Sequence, residues 1–138
     1  MAAVTVGVNL AKRVAGGECL ISSLSFLAPS EGFLHYFPVT GNDVREALQQ
    51  AGVVPSKKLG QNFLTDPNTA RWIVDQLDPG PDDFVVEVGP GTGSLSEALV
   101  GRVRRLLLIE FDRRLADWLK HRFAKDEAVE VVHADGAR

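Results

Sequence analysis

The sequence predicts an α/β domain built around a parallel sheet, and three observations carry that expectation. Apolar runs at Phe84–Val88, Arg105–Glu110 and Val129–His133 have the length and composition of buried strands. Helix-patterned segments separate them, one over Leu95–Val100 and one from Asp112 to about Phe123. A glycine-rich turn, Gly89-Pro90-Gly91-Thr92-Gly93, follows the first run directly. Strand, helix, strand, helix, strand implies parallel pairing with right-handed crossovers.

Each element has a local reason, taken in chain order. Residues 1–38 stand apart as an N-terminal extension whose order the sequence leaves open. They carry scattered Gly and Ser, little charge and no sustained period. LISSLSFLAP reads as a strand or a short buried piece. Lys12 and Arg13, with no acid before Glu18, give a faint likeness to a transit peptide. Gly16, Gly17 and Glu18 interrupt the apolar stretch that a signal peptide would need. A non-native or upstream-translated extension is a further reading. Its lack of period predicts a small part in the core.

Residues 39–80 form the next unit, a helical segment carrying QNFL. Thr40 followed by Asp43 resembles a capping box with Asp in place of Glu. Val44, Ala47, Leu48 and Ala51 share one helical face, and Gly52 is placed to end the helix. Val53 to Leu64 should be a loop. Asp66-Pro67 is a strong helix start, because proline at the first helical position loses no needed hydrogen bond. Ala70, Ile73, Val74 and Leu77 continue that helix, and Pro79-Gly80-Pro81 closes it. Residues 81–138 hold the three strands. Asp112 is positioned to cap the last helix, with Leu115, Trp118, Leu119, Arg122 and Phe123 near one face.

The chain's 138 residues suffice for one small domain with a core. A formal charge of −3 gives no global basic footprint for nucleic acid, although such footprints can be local. Cys19 is the single cysteine, so no internal disulfide forms, and no Cys/His set has zinc spacing. This predicts a metal-free protein of a reducing, cytoplasmic compartment. No apolar run is long enough to span a bilayer, so no membrane partner is expected.

The strand ends carry the chemistry. A glycine turn between a buried strand and a helix lets the backbone approach a ligand, so Gly89, Gly91 and Gly93 are candidate contacts. Glu110, at the end of the second strand about twenty residues on, is where an acid accepts hydrogen bonds from both ribose hydroxyls of a nucleoside. An acid favoured near the next helix start is the plainer account. Asp135, at the end of the third strand, suits an exocyclic amine such as adenine N6, and equally suits an ordinary Asp-Gly turn. Glu87 separates two ligands. A pyrophosphate would be repelled by it, whereas a sulfonium and ammonium group favours acidic surroundings, which points to S-adenosyl-L-methionine. A buried acid satisfied by loop amides fits either ligand. Lys57 and Lys58 read as a solvated turn or an RNA phosphate contact. Asn62 can donate to a ligand carboxylate or stabilise its own loop, and Phe63 and Leu64 fit core positions. Trp72 and Trp118 read as packing. His35, His121 and His133 have no evident partner.

Taken together, KKLGQNFLTDP, VVEVGPGTGSLSEAL, LLLIEFDRRLADWL and VVHADGAR resemble consecutive N-terminal motifs of the ribosomal RNA adenine N6,N6-dimethyltransferases. The resemblance covers about Thr40 to Arg138. It implies a Rossmann-like S-adenosylmethionine-dependent methyltransferase fold. It implies that Asn62, Leu64, Gly89, Glu110 and Asp135 bind the cofactor, with small-subunit ribosomal RNA or the assembling small subunit as partner. The family's target-adenine loop follows its fourth strand, so the chain is expected to hold an incomplete fold, with the first three parallel strands and their helices. No catalytic residue is assigned, and an inactive fragment is expected. Without a fourth strand, Phe84–Val88 should present an open edge. Three alternatives stand beside this. They are a large-subunit methyltransferase of the macrolide-resistance type, an NAD-linked oxidoreductase, and a noncatalytic ribosome-assembly factor.

Overall fold

The computed structural model describes residues 4–13, 19–28, 42–54 and 63–135. Two strands come first, β1 (Val4–Arg13) and β2 (Cys19–Ala28), followed by helices α1 (Asn42–Ala51) and α2 (Pro67–Leu77). Then come β3 (Phe84–Val88), α3 (Ser94–Leu99), β4 (Arg105–Glu110), α4 (Arg113–Arg122) and β5 (Val129–His133). The three expected strands appear with the expected bounds, and β3-β4-β5 pair in parallel.

The five-stranded sheet has the order β2-β1-β3-β4-β5. Here the structure differs from the open edge expected at β3. β1 lies antiparallel on that edge, with Asn9 opposite Val88 and Arg13 opposite Phe84. β2 folds back along the whole of β1, from Val4 opposite Ala28 to Arg13 opposite Cys19. The stretch with no sustained period is therefore a hairpin that continues the sheet.

Helix boundaries follow local chemistry. Asp66 accepts the Asn68 and Thr69 amides at 3.0 and 3.2 Å and the Thr69 hydroxyl at 2.6 Å, and Pro67 opens α2 as expected. Asp78, in the left-handed region at φ 47°, caps its end just before the Pro-Gly-Pro. Asp112 caps α4 through the Arg114 and Leu115 amides. The expected cap of α1, Thr40, lies outside the described residues.

One face of the sheet carries Val85, Leu106 and Leu108, all buried in a single cluster with Ala70, Ile73 and Val74 of α2, Leu95 and Leu99 of α3, and Leu119 of α4. Each fully buried leucine contributes roughly 1.5–3 kcal/mol relative to exposure. A second cluster, Leu48, Val53 and Leu115 with Phe63 against it, fastens α1 to α4. Trp118 packs against the first cluster as expected. Trp72 differs, since 41% of it is exposed. These two clusters hold the helix layer against the carboxyl ends of the parallel strands, where the acids and glycines gather.

Candidate functional site

The turn after β3 needs glycine for two reasons, its backbone conformation and, at two of the three positions, close packing. Gly89, Gly91 and Gly93 all lie in the left-handed region, at φ 73°, 60° and 83°. A Cβ on Gly91 would meet the Phe63 ring at 3.1 Å, and one on Gly93 would meet Leu119 Cδ2 at 3.1 Å and Phe123 at 3.2 Å. Those two positions are bare so that neighbouring side chains can pack onto the backbone. Gly89 faces open space, with nothing within 4 Å of a built Cβ. Its amide donates to the Ile109 carbonyl at 2.8 Å, carrying the parallel ladder one step beyond β3.

Glu110 is drawn into this turn. Its Oε2 accepts the Gly91 amide at 3.1 Å and its Oε1 accepts the Asp112 amide at 2.9 Å. Glu110 as a whole is only 6% exposed. Burial raises its pKa above the ordinary value, the Asp112 and Gly91 amides oppose that, and the Asp112 charge raises it again. Each oxygen keeps a lone pair beyond the amide it accepts, so the carboxylate can still take two further donors.

Glu87 sits at the end of β3 on the helix-covered face, 3% exposed. Loop amides were one possible partner, but the partner found is the Ser96 hydroxyl of α3, which donates to Oε2 at 2.7 Å. Burial pushes the Glu87 carboxyl from 4.5 to about 7, the Ser96 bond pulls it down, and the Glu110 charge adds to the rise. Ser96 went unnoticed in the sequence. Its signal was a small polar residue between Leu95 and Leu99 on the buried face of a short helix.

Asn62 of the QNFL segment, and Lys57 and Lys58 before it, lie outside the described residues. Phe63 lies over Gly91, and the Leu64 carbonyl accepts the Ser94 hydroxyl at 2.8 Å. The segment is thus fastened to the glycine turn. Asp135 lies exposed just past β5, whose end is tied to β4 by the Ala134 amide on the Glu110 carbonyl at 3.0 Å. His133 does have a partner, its Nε2 lying 2.9 Å from the Phe111 carbonyl. His121 is exposed, and His35 lies outside the described residues.

A cleft of about 370 Å³ opens nearby between α1, the start of α2, α3 and α4. Thr92 of the glycine turn and Ser94 at the start of α3 line it, but neither Glu87, Glu110 nor Asp135 does. Among the described residues no cluster of three or more His, Cys, Asp or Glu could hold a metal ion. None of the described helices is long and apolar enough to cross a membrane.

The family model described as ribosomal RNA adenine dimethylase matches residues 55–138. The ribosomal RNA small subunit methyltransferase A of Thermobifida fusca is 47% identical over 105 residues, covering 72% of this chain and 37% of that protein. The protein of the same name from Corynebacterium diphtheriae is 48% identical over 77 residues, covering 56% of this chain and 26% of its own. The chain therefore spans about a third of the length of these curated relatives. Among solved structures, the 23S rRNA methyltransferase ErmE is similar with a TM-score of 0.50 at 37% identity, covering 54% of this chain and 30% of that one. A dimethyladenosine transferase from Plasmodium falciparum is similar with a TM-score of 0.51 at 26% identity, covering 54% and 28%. Three parallel strands with their helices accordingly make up part of a Rossmann-like methyltransferase fold.

Proposed function

The chain belongs to the ribosomal RNA adenine dimethylase family, and from that premise we propose that its protein uses S-adenosyl-L-methionine to dimethylate adenosine N6 in small-subunit ribosomal RNA. The observation that carries the cofactor is Glu110, held at the end of β4 by two amides with acceptor capacity to spare. Two ribose hydroxyls match that capacity. The open side of Gly89 leaves room for the cofactor to lie against the backbone. Glu87 places a buried acid beneath the turn, and in its ionised form that acid suits a cationic ligand better than a pyrophosphate. Asn62, Leu64, Gly91, Gly93 and Asp135 complete the proposed cofactor set.

When bound, the cofactor supplies an electrophilic methyl group on sulfur. The chain's part is positioning: Glu110 fixes the ribose, and the glycine turn sets the depth of the nucleoside, so that an in-line approach to sulfur is preset. Relatives named for the small subunit support that RNA over a large-subunit target.

Titration calorimetry tests the cofactor assignment. Glu110→Ala should weaken S-adenosylmethionine binding by about 1–3 kcal/mol, because bonds to a charged acceptor are lost. Unchanged affinity in a folded variant removes Glu110 from the site. Labelled cofactor with undermethylated small ribosomal subunits, in a protein of the relatives' full length, tests the substrate. Label confined to large subunits would replace the small-subunit reading.

A further inference from the structure

Ser96 is a hydroxyl at a place where packing alone calls for an apolar residue. It is 0% exposed on the buried face of α3, between Leu95 and Leu99 of the main cluster. A hydroxyl so buried needs a partner to offset its desolvation. The partner is the Glu87 carboxyl, which accepts at 2.7 Å, and among the described residues no other side chain hydrogen-bonds to that acid. The groups around Glu87 pull its ionisation in opposite directions. Burial favours the neutral acid, the Ser96 hydrogen bond favours the carboxylate, and the negative charge of Glu110 favours the neutral acid again. The other described neighbours are uncharged. Leu108 stands beside it in register on β4, and α2 and α4 contribute apolar side chains such as Val74 and Leu119 to the cluster on that face. Glu97, next to Ser96 on α3, pairs with Arg122 instead.

We propose that Ser96 is a positioning residue for the cofactor, holding Glu87 as the carboxylate that answers the positive methionine end of S-adenosyl-L-methionine, a role that rests on the cofactor assignment above. The opposed influences leave the Glu87 carboxyl at about 7, so at pH 7 about half of the chains carry a proton there. A sulfonium and an ammonium group bind the ionised half more tightly. Binding therefore releases the proton to solvent, and the affinity observed is the intrinsic affinity scaled by the ionised fraction. Ser96 sets that fraction. A hydrogen bond to a charged acceptor favours the ionised form by about tenfold. Without it, about one chain in eleven would hold the carboxylate at pH 7, and cofactor affinity would fall about fivefold. By pH 9 the acid is almost fully ionised with or without the hydroxyl, and the difference closes.

Titration calorimetry with S-adenosylmethionine at pH 7 and pH 9, in a protein of the relatives' full length, tests this role. Ser96→Ala suits a helix and fills nearly the same space. It should bind about fivefold more weakly than the parent at pH 7 and within about twofold of it at pH 9. The ligand's own amine titrates alike in both proteins and cancels from the comparison. In a Glu87→Gln background Ser96→Ala should have equal effects at the two pH values, because nothing at position 87 then ionises. A carbon-13 titration of the Glu87 carboxyl without ligand should show it ionising at higher pH in Ser96→Ala than in the parent. Unchanged affinity at pH 7, a loss of the same size at both pH values, a pH-dependent loss that persists in Glu87→Gln, or an unmoved Glu87 titration would each overturn the role of Ser96 and leave the cofactor in place. A parent that binds no S-adenosylmethionine at either pH would overturn the cofactor assignment, and the role of Ser96 with it.

Discussion

Replacing Glu87 by Gln should change how stability depends on pH, and the structure sets the size of the change. The carboxyl is buried, and its pKa rises from 4.5 to about 7. Between those values the folded chain holds a proton that the unfolded chain has released. Stability therefore falls as pH rises from 4.5 towards 7 and levels off above the folded value. The full loss is about 3 kcal/mol, taking ~1.4 kcal/mol per pKa unit. Gln keeps an acceptor for the Ser96 hydroxyl, has nearly the same volume and cannot ionise. Relative to the acid limit, where the two proteins should be of similar stability, Glu87→Gln should be the more stable by only about 1 kcal/mol at pH 5 and by roughly 3 kcal/mol at pH 8. Glu110 also has a raised pKa, but it is present in both proteins and largely cancels from the difference. Urea unfolding at both pH values measures the effect. A stability gap that is equal at pH 5 and pH 8 would show that Glu87 does not ionise inside the fold, and the burial argument would fail.

Other consequences follow from packing and capping. Gly93→Ala should cost about 2–3 kcal/mol in thermal unfolding, because its Cβ meets Leu119 and Phe123. Gly89→Ala, strained by φ 73° but facing open space, should cost only about 1 kcal/mol while weakening cofactor binding. Equal losses of stability at the two glycines would contradict the packing account. Asp66→Ala removes three accepted hydrogen bonds from the start of α2 and should destabilise by about 0.5–2 kcal/mol by chemical denaturation. Arg102→Ala breaks a half-exposed pair with Asp75 at 2.7 Å and should cost under about 1 kcal/mol, less in high salt.

The parts legible in the sequence are those with local causes. Apolar runs bounded by Asp83, Gly89 and the arginines before Arg105 mark out three strands. Asp66-Pro67 and Asp112 mark helix starts, because a cap acts within three residues of itself. Glu110 and the glycine turn could be linked from their spacing alone, since a strand-turn-helix-strand unit returns the chain to a neighbouring strand end. The hairpin was harder to see. Val4, Val6, Val8 and Leu10 do alternate, but glycines and a near absence of charge hide the polar half of the pattern. Even a strand recognised there would not have named its partner. The pairing of β1 with β3 joins residues 71 to 79 positions apart, and no period carries that information.

The same division runs through the candidate site. The sequence by itself determined which residue types stand at the strand ends, and so the chemistry they permit. Only the tertiary structure decided that Gly91 and Gly93 are bare for Phe63, Leu119 and Phe123, while Gly89 alone of the three faces open space. It also decided that Glu87 is held by Ser96 and that Glu110 takes two amides. The physical reason is that caps and periodicities are satisfied within a turn or two of chain. Close packing and the desolvation of a carboxylate depend on which distant surfaces meet, and that is settled only when the sheet and its helices close on one another.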